Sequence, residues 1–195
     1  ESWHWGRTAP VSGQEENDAR STSSWCLELE TFEQFISRVL KTLNTSDMGY
    51  MVTGALAVSY YGRPRTTMDL DLVIRTCPGE FEKLSKTLVR VGLKVSVAKI
   101  ASAWSSGYGI VTCQDTRSPH SLDITLSDKP LRRVKGTLLG IRVFYHEPSQ
   151  LILAKLRMIK ATVPRERAMK DEEDVRAILK FSRVDVEAVK KRARR

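Results

Sequence analysis

The chain has few of the residues that build disulfide frameworks or zinc centres. Its three cysteines, Cys26, Cys77 and Cys113, are widely spaced and form no Cys-x-x-Cys pair. Its three histidines do not cluster either. These shortages argue against a disulfide-stapled domain, a structural zinc site and a zinc hydrolase, and they favour a reducing, cytoplasmic location.

The sequence also lacks long apolar runs. None approaches the roughly 20 residues of a membrane span, and the N-terminus does not have the basic-then-apolar order of a signal peptide. Residues 1–26 are rich in Ser, Thr, Gly, Gln and Glu without hydrophobic periodicity, which predicts a disordered arm. The remainder of the 195 residues, at 41% hydrophobic and 28% charged overall, is long enough to bury one core.

Positive charge is concentrated in the last third of the chain. Residues 1–128 carry 13 Lys and Arg against 15 Asp and Glu, whereas residues 129–195 carry 19 against 8. Basic faces on terminal helices are often merely solvated, but a one-sided positive field favours a polyanionic partner. RNA therefore fits the composition better than a small neutral substrate, and we expect it to bind over the C-terminal helices.

Hydrophobic periodicity predicts a mixed α/β core followed by a helical tail. We interpret residues 27–146 as the core and residues 147–195 as a basic helical segment packed on it. Helices are predicted over residues 28–43, 56–61, 78–92, 149–163, 168–181 and 184–193, and strands over 50–52, 70–74, 94–97, 109–113, 121–126 and 141–145.

Asp69 and Asp71 are the strongest chemical signal in the sequence. They begin a short apolar strand, and residues two apart on a strand share a face, so both carboxylates enter one small volume. Two carboxylates so close stay ionised only with a cation between them. Mg²⁺, or Mn²⁺ in its place, takes one or two carboxylates and completes its shell with water and substrate phosphate. The pair predicts phosphoryl or nucleotidyl transfer, although Asp-x-Asp also occurs by chance at strand starts.

Two further features lie on the same predicted core. Thr53-Gly54-Ala55 joins a strand to a helix, where backbone N–H groups can approach phosphate, although a simple tight turn has the same pattern. Asp123 lies on the polar face of an alternating strand. It could be a third carboxylate that ligates metal or accepts a proton, or it could simply be solvated.

Two more candidates lie on the predicted C-terminal helices. Lys155 falls inside the apolar arc of its helix, so its amine must reach out to solvent or meet an anion. We expect it to touch nucleotide phosphate. Asp171 lies four and seven residues before Val175 and Ile178, on their apolar side. It could complete the site or cap the N-terminus of the helix.

These motifs resemble those of a known family. Residues 52–55, with sequence Val-Thr-Gly-Ala, thirteen intervening residues and then Asp69-Leu70-Asp71 resemble the hG[G/S]…DhD signature of minimal nucleotidyltransferases with the DNA polymerase β-like fold. Residues 54–71, 147–155 and 170–175 are similar to the AbiEii-type nucleotidyltransferases of abortive-infection and toxin–antitoxin systems. The resemblance covers roughly residues 28–181.

The resemblance implies a mixed sheet flanked by helices, an NTP co-substrate, and Mg²⁺ or Mn²⁺ held by Asp69 and Asp71. It implies that Lys155 and Asp171 complete the active site, while Asp123 matches the third-carboxylate position of the wider fold. Characterised toxins of the family extend or modify the acceptor end of tRNA and have an antitoxin as partner. One departure is Ala55, which stands where the family usually has Ser or Gly and leaves only a backbone amide to bond the triphosphate.

The leading interpretation is a metal-dependent nucleotidyltransferase acting on RNA. Thr53, Gly54 and Ala55 would cradle phosphate, Lys155 would neutralise developing charge, and Arg65 would meet phosphate or acceptor. One alternative is a small-molecule, antibiotic-type nucleotidyltransferase, which the basic C-terminal portion disfavours because such substrates are often cationic. The other is a non-catalytic module of the same fold that binds RNA or protein, which Ala55 favours.

Overall fold

The structure, a computed structural model, describes residues 29–193, so the predicted arm of residues 1–26 lies outside the described residues. The helices of this part are α1 (Phe32–Asn44), α2 (Gly54–Tyr60), α3 (Phe81–Val91), α4 (Val97–Ser105), α5 (Pro148–Ala161), α6 (Met169–Phe181) and α7 (Val186–Ala193). The strands are β1 (Tyr50–Val52), β2 (Asp69–Arg75), β3 (Leu93–Lys94), β4 (Ile110–Asp115), β5 (Ser121–Ser127), β6 (Arg133–Leu138) and β7 (Ile141–His146).

A seven-stranded mixed sheet organises these elements, in the order β3-β4-β5-β2-β1-β7-β6. β2 runs parallel to β5 and β1 runs parallel to β7, whereas the other neighbouring pairs are antiparallel. The parallel pairing of β2 with β5 is possible because the intervening chain crosses over through α3, β3, α4 and β4. The predicted mixed α/β fold is therefore confirmed.

Alternation along β2 and β5 decides which residues face the core. Leu70 lies in register with Leu122, and both side chains are fully buried. Asp71 lies in register with Asp123, one residue further along each strand. Because neighbouring strand residues point to opposite faces, this pair of carboxylates lies on the face of the sheet that the leucines leave free.

Local capping explains two helix boundaries. α1 begins at Phe32, later than the predicted start at residue 28, because Thr31 and Gln34 form a reciprocal capping box. α3 ends at Gly92, whose φ of 104° is a left-handed conformation that glycine adopts without strain. Helix α3 was predicted to end at this glycine.

Three elements differ from the prediction: β3 is shorter than predicted, and helix α4 and strand β6 were not predicted. The strand predicted over residues 94–97 is wrong, because β3 has only two residues and Val97 begins α4, whose N-cap Ser96 accepts a hydrogen bond from the Lys99 N–H. β6 was missed altogether. It is an edge strand whose residues are mostly exposed, so it carries no hydrophobic alternation for a sequence pattern to detect.

The three C-terminal helices pack onto the rest of the molecule. α5 contacts α6 and α7, and α6 contacts α2. Leu151, Ile178 and Val189, one from each helix, belong to the same buried cluster as the strand leucines. No helix within residues 29–193 is long and apolar enough to cross a membrane.

Candidate active site

The turn between β1 and α2 lies directly against a carboxylate. The Thr53 N–H donates to the Asp71 carbonyl at 3.0 Å, which extends the pairing of β1 with β2. Gly54 follows with a φ of 60°, and a Cβ placed on it would lie 2.0 Å from Asp71 Oδ2. Only glycine permits both this backbone conformation and this approach. The turn and the Asp71 carboxylate therefore share one pocket.

Asp71 is held in an environment that disfavours its charge. Burial, followed by the nearby carboxylates of Asp123 and Asp69, raises the pKa of Asp71 to about 6. Lys155 and a hydrogen bond from the Ala55 N–H act in the opposite direction. The Ala55 amide, which was expected to bond the triphosphate, thus donates to Asp71 in this structure.

The other two predicted carboxylates lie on the same strip of the sheet. Asp69 is exposed at the start of β2, and its Oδ1 accepts a 3.3 Å hydrogen bond from the Ser121 hydroxyl. Asp123 Oδ1 is buried and has no hydrogen-bond partner among the described residues. A buried carboxylate oxygen without a partner is costly. The alternative that Asp123 is simply solvated is therefore wrong for this oxygen.

These oxygens fit a hard divalent cation. Within residues 29–193, no group of three or more His, Cys, Asp and Glu side chains lies close enough to hold a metal ion by itself. Mg²⁺ does not need such a group, because one or two carboxylates suffice when water and substrate phosphate fill the remaining positions. The unpartnered oxygen of Asp123, the raised pKa of Asp71 and the close approach of the Gly54 backbone to Asp71 all suit that arrangement.

Lys155 lies within electrostatic reach of the carboxylates, since it lowers the pKa of Asp71. Its side chain is buried, and Nζ lies 2.8 Å from Asp171 Oδ1 and 2.8 Å from Asp174 Oδ2. The predicted position of Lys155 on the apolar stripe is confirmed. The capping alternative for Asp171 is wrong, because Ala168 is the N-cap of α6.

Asp174 is a residue of this network that the sequence analysis missed. It is fully buried, and its Oδ2 accepts from Lys155 and, at 2.6 Å, from Arg65 Nη1. Asp174 thereby links Arg65, the predicted phosphate contact, to Lys155. It lies three residues after Asp171 and four before Ile178, so helical spacing was the signal that could have found it.

His146 was also missed, and it lies on the other side of the turn. Its Nδ1 is 3.0 Å from Thr53 Oγ1, and the Tyr61 hydroxyl donates to its carbonyl at 2.7 Å. Burial lowers the pKa of His146 to about 4, against the opposing effect of Glu147, so the ring is neutral near pH 7. It ties the end of β7 to the Gly54 turn. No sequence signal indicates a contact between residues 93 positions apart.

Comparisons with known proteins identify the fold of the chain. No protein-family model matches the chain, and no curated protein matches it in sequence. The structure is similar to the antibiotic-resistance factor ANT(2'')-Ia, with a TM-score of 0.61 and 14% identity over 83% of this chain and 90% of that one. It is also similar to an antigenic nucleotidyltransferase-like protein from Paracoccidioides brasiliensis, with a TM-score of 0.55 and 17% identity over 77% of this chain and 76% of that one. A third similar structure is the lincosamide antibiotic adenylyltransferase LnuA, with a TM-score of 0.53 and 11% identity over 77% of this chain and 98% of that one. The chain therefore has the nucleotidyltransferase fold that its motif spacing predicts.

Gly54→Ala tests the contact between the turn and Asp71. We expect it to cost about 1–2 kcal/mol for the left-handed backbone and about 1–3 kcal/mol more for the displaced carboxylate. Gly107→Ala is the matched control, because Gly107 has a φ of 77° and nothing lies within 4 Å of its added Cβ. Urea unfolding gives the two costs. Equal losses in the two variants would show that the contact with Asp71 has no energetic weight.

A double-mutant cycle of Asp174→Asn and Lys155→Gln tests the buried ion pair. Each single change leaves a buried charged or polar partner without compensation, so we expect a loss of about 3 kcal/mol for each and clearly less than the sum for the double variant. The exposed pair Lys190–Glu187, also 2.8 Å apart, is the control, with an expected coupling below about 1 kcal/mol. Unfolding in urea measures both cycles. Additive losses at Asp174 and Lys155 would contradict the network.

The pKa of Asp71 predicts how stability changes with pH in the metal-free protein. That pKa is raised from 3.8 to about 6, so the folded state keeps its proton after the unfolded state has lost it. The stability contributed by the protonated group is complete below about pH 4 and is lost as the pH rises through about 6. Asp71→Asn removes this loss. In EDTA we expect it to stabilise the protein near pH 7.5 by at most about 3 kcal/mol, with little effect near pH 4.

Added Mg²⁺ should make the wild type more stable than Asp71→Asn near pH 7.5, the reverse of the order in EDTA. Because the cation binds the ionised carboxylate, added Mg²⁺ is expected to raise the Tm of the wild type and not of Asp71→Asn, with the increase fading below about pH 6. Thermal unfolding over a pH series, with EDTA or Mg²⁺, measures this. The exposed Asp128→Asn variant should follow the wild type throughout. A Tm difference between wild type and Asp71→Asn that does not change with pH would refute the assignment.

Proposed function

We propose that the protein is a metal-dependent nucleotidyltransferase that transfers a nucleotide from an NTP to an acceptor hydroxyl and releases pyrophosphate. The observation that carries this proposal is the contact between Gly54 and Asp71. It joins an open backbone turn to a cluster of carboxylates, which is the combination that a metal–triphosphate complex requires.

Asp69 and Asp71, with Asp123, would hold Mg²⁺ or Mn²⁺. When bound, such an ion polarises the phosphoryl oxygens and offsets charge on the departing pyrophosphate. The protein's own contribution is to hold these oxygens in place. The Ala55 N–H and the Ser121 hydroxyl each fix one carboxylate, while Asp123 keeps an oxygen free to ligate the ion or to accept the acceptor's proton.

The two basic residues of the site, Lys155 and Arg65, are also fixed by contacts with the protein. Lys155 is buried between Asp171 and Asp174, and these two ion pairs give its amine a fixed position. Its field already reaches Asp71, and it would neutralise charge on the triphosphate as the reaction proceeds. Arg65 is anchored by Asp174 but leaves 30% of its side chain exposed, which suits a contact with phosphate or acceptor. Thr53 and Gly54 line the turn that phosphate would approach.

RNA, and tRNA in particular, is the acceptor that we propose. Residues 129–195 carry 19 basic against 8 acidic side chains, and an RNA backbone would be attracted by such a field. The motif resemblance to AbiEii-type enzymes supports the same substrate, together with a role as the toxin of a toxin–antitoxin pair. The acceptor, the toxin role and an antitoxin partner all belong to this proposal.

A small-molecule acceptor is the second candidate. Its support is the fold similarity to ANT(2'')-Ia, a factor of antibiotic resistance, and to the lincosamide adenylyltransferase LnuA. These proteins share at most 14% identity with the chain, so the similarity extends to the fold alone. A cationic antibiotic would also be repelled by the basic C-terminal helices.

A labelling screen separates the candidates. The protein is incubated with Mg²⁺ and each labelled NTP, together with total tRNA or with a panel of aminoglycosides and lincosamides. We expect labelled tRNA, with transfer reduced by about a hundredfold or more in Asp69→Asn/Asp71→Asn, because the cation site is lost. Asp128→Asn, which removes an exposed carboxylate elsewhere, should label tRNA at the wild-type rate.

The outcomes have distinct meanings. Undiminished transfer by Asp69→Asn/Asp71→Asn would refute the assignment of these residues to a metal site. Labelled antibiotics together with unlabelled tRNA would show that the acceptor is a small molecule. A non-catalytic module need bind no nucleotide. Calorimetry with Mg²⁺ and ATP or CTP therefore distinguishes it from an enzyme whose acceptor was absent from the screen.

A further inference from the structure

A basic cleft lies between the start of β6 and helix α7. It has a volume of about 510 Å³ and is lined by the side chains of Arg132, Arg133 and Arg192, and we refer to it as the arginine cleft. Glu147 and Ser149, at the start of α5, form another wall. None of these residues belongs to the carboxylate site described above.

The arginine cleft begins at the same end of the strands as the Gly54 turn. Arg133 is in register with His146, and the Glu147 N–H donates to the Arg132 carbonyl at 3.1 Å. His146 in turn contacts Thr53. In the strand order β2-β1-β7-β6, two strands lie between β2, which carries Asp71, and β6, where the cleft begins. An acceptor that contacts both places must therefore be a polymer rather than a small molecule.

The Arg133 side chain and the backbone of α7 are held in place before any ligand binds. The Arg133 guanidinium donates to the Tyr50 carbonyl at 2.9 Å and lies 3.8 Å from the centroid of the Phe144 ring, which leaves other N–H donors available. On the opposite wall, Val189 is buried and anchors α7 to the core. Charges held in place this way lose little conformational entropy when they bind an anion.

The charge balance of the cleft favours phosphate. Glu147 is the one acidic residue among the described residues that line it, and its carboxylate accepts the Ser149 N–H as the cap of α5. Three guanidinium groups remain, and their planar donors match phosphate oxygens in pairs. The exposed Lys191 of α7 adds positive charge nearby, whereas Lys190 is paired with Glu187.

We propose that the arginine cleft binds the phosphodiester backbone of an RNA acceptor and so presents its terminal hydroxyl to the Asp71 site. This inference rests on the proposed nucleotidyltransferase function. An acidic protein segment fits less well, because protein interfaces are anchored by exposed apolar side chains at their centre. Here Leu131 is half-buried and Val189 is buried, so the cleft offers guanidinium groups instead.

The test uses the full chain with two charge-matched variants. Arg132→Gln/Arg192→Gln removes two charges from the cleft and keeps Arg133, which has a structural contact. Lys83→Gln/Arg90→Gln removes two charges from a groove of about 480 Å³ along α3. Fluorescence anisotropy measures the binding of labelled total tRNA to each protein over a series of salt concentrations.

We expect the cleft variant to bind tRNA about tenfold more weakly or worse near 0.15 M salt, with the slope of log K against log salt reduced by about 1–2. The α3 variant should bind like the wild type. Calorimetry with Mg²⁺-ATP should give the same nucleotide affinity for all three proteins, because the cleft lies away from the Gly54 turn. In the labelling assay, the cleft variant should show a raised KM for tRNA with kcat nearly unchanged.

Several results would overturn the inference. These are a wild type that does not bind tRNA, an equal loss of tRNA binding in both charge variants, or an unchanged KM for tRNA in the cleft variant. Failure of the proposed function looks different. If the arginines are required for tRNA binding but no nucleotide is transferred to any acceptor, the docking site stands and the catalytic proposal fails.

Discussion

The approach of the Gly54 backbone to the Asp71 carboxylate is the contact on which the rest of the site depends. It exists because β1 and β2 pair until Thr53, after which a glycine in a left-handed conformation turns the chain across the acid. Any side chain at this position would occupy the space of Asp71 Oδ2. The result is a turn whose backbone lies directly against the carboxylate.

This arrangement crowds negative charge, and the fold compensates only part of it. Asp171 and Asp174 pair with Lys155 and Arg65 in a largely buried network, which gives those cations a fixed orientation. Within residues 29–193 Asp71 and Asp123 have no such cation in contact, and burial, followed by the neighbouring carboxylates, raises the pKa of Asp71. The protein thus pairs one set of carboxylates with cations of its own and leaves the other set without a contacting cation.

The periodicity of the sequence identified the site residues whose position depends on a single helix or strand. A spacing of two on a strand put Asp69 and Asp71 together, and the helical arc placed Lys155 inside the molecule. Asp174 stayed hidden within a run of four acidic residues, since a solvated helix start has the same composition. His146 and the edge strand β6 gave no pattern, because one acts across 93 positions and the other buries almost nothing.

The sequence by itself determined the local structure that carries the chemistry: the central strands, the glycine turn, the helices other than α4, and the basic character of the last third of the chain. Tertiary structure decided which charges are paired, that burial raises the pKa of Asp71, and where the arginines converge. These properties depend on the strand order β3-β4-β5-β2-β1-β7-β6, which brings β2 beside β5 and β1 beside β7. Local periodicity describes one element at a time, so it cannot encode the distance between charges on elements far apart in the chain.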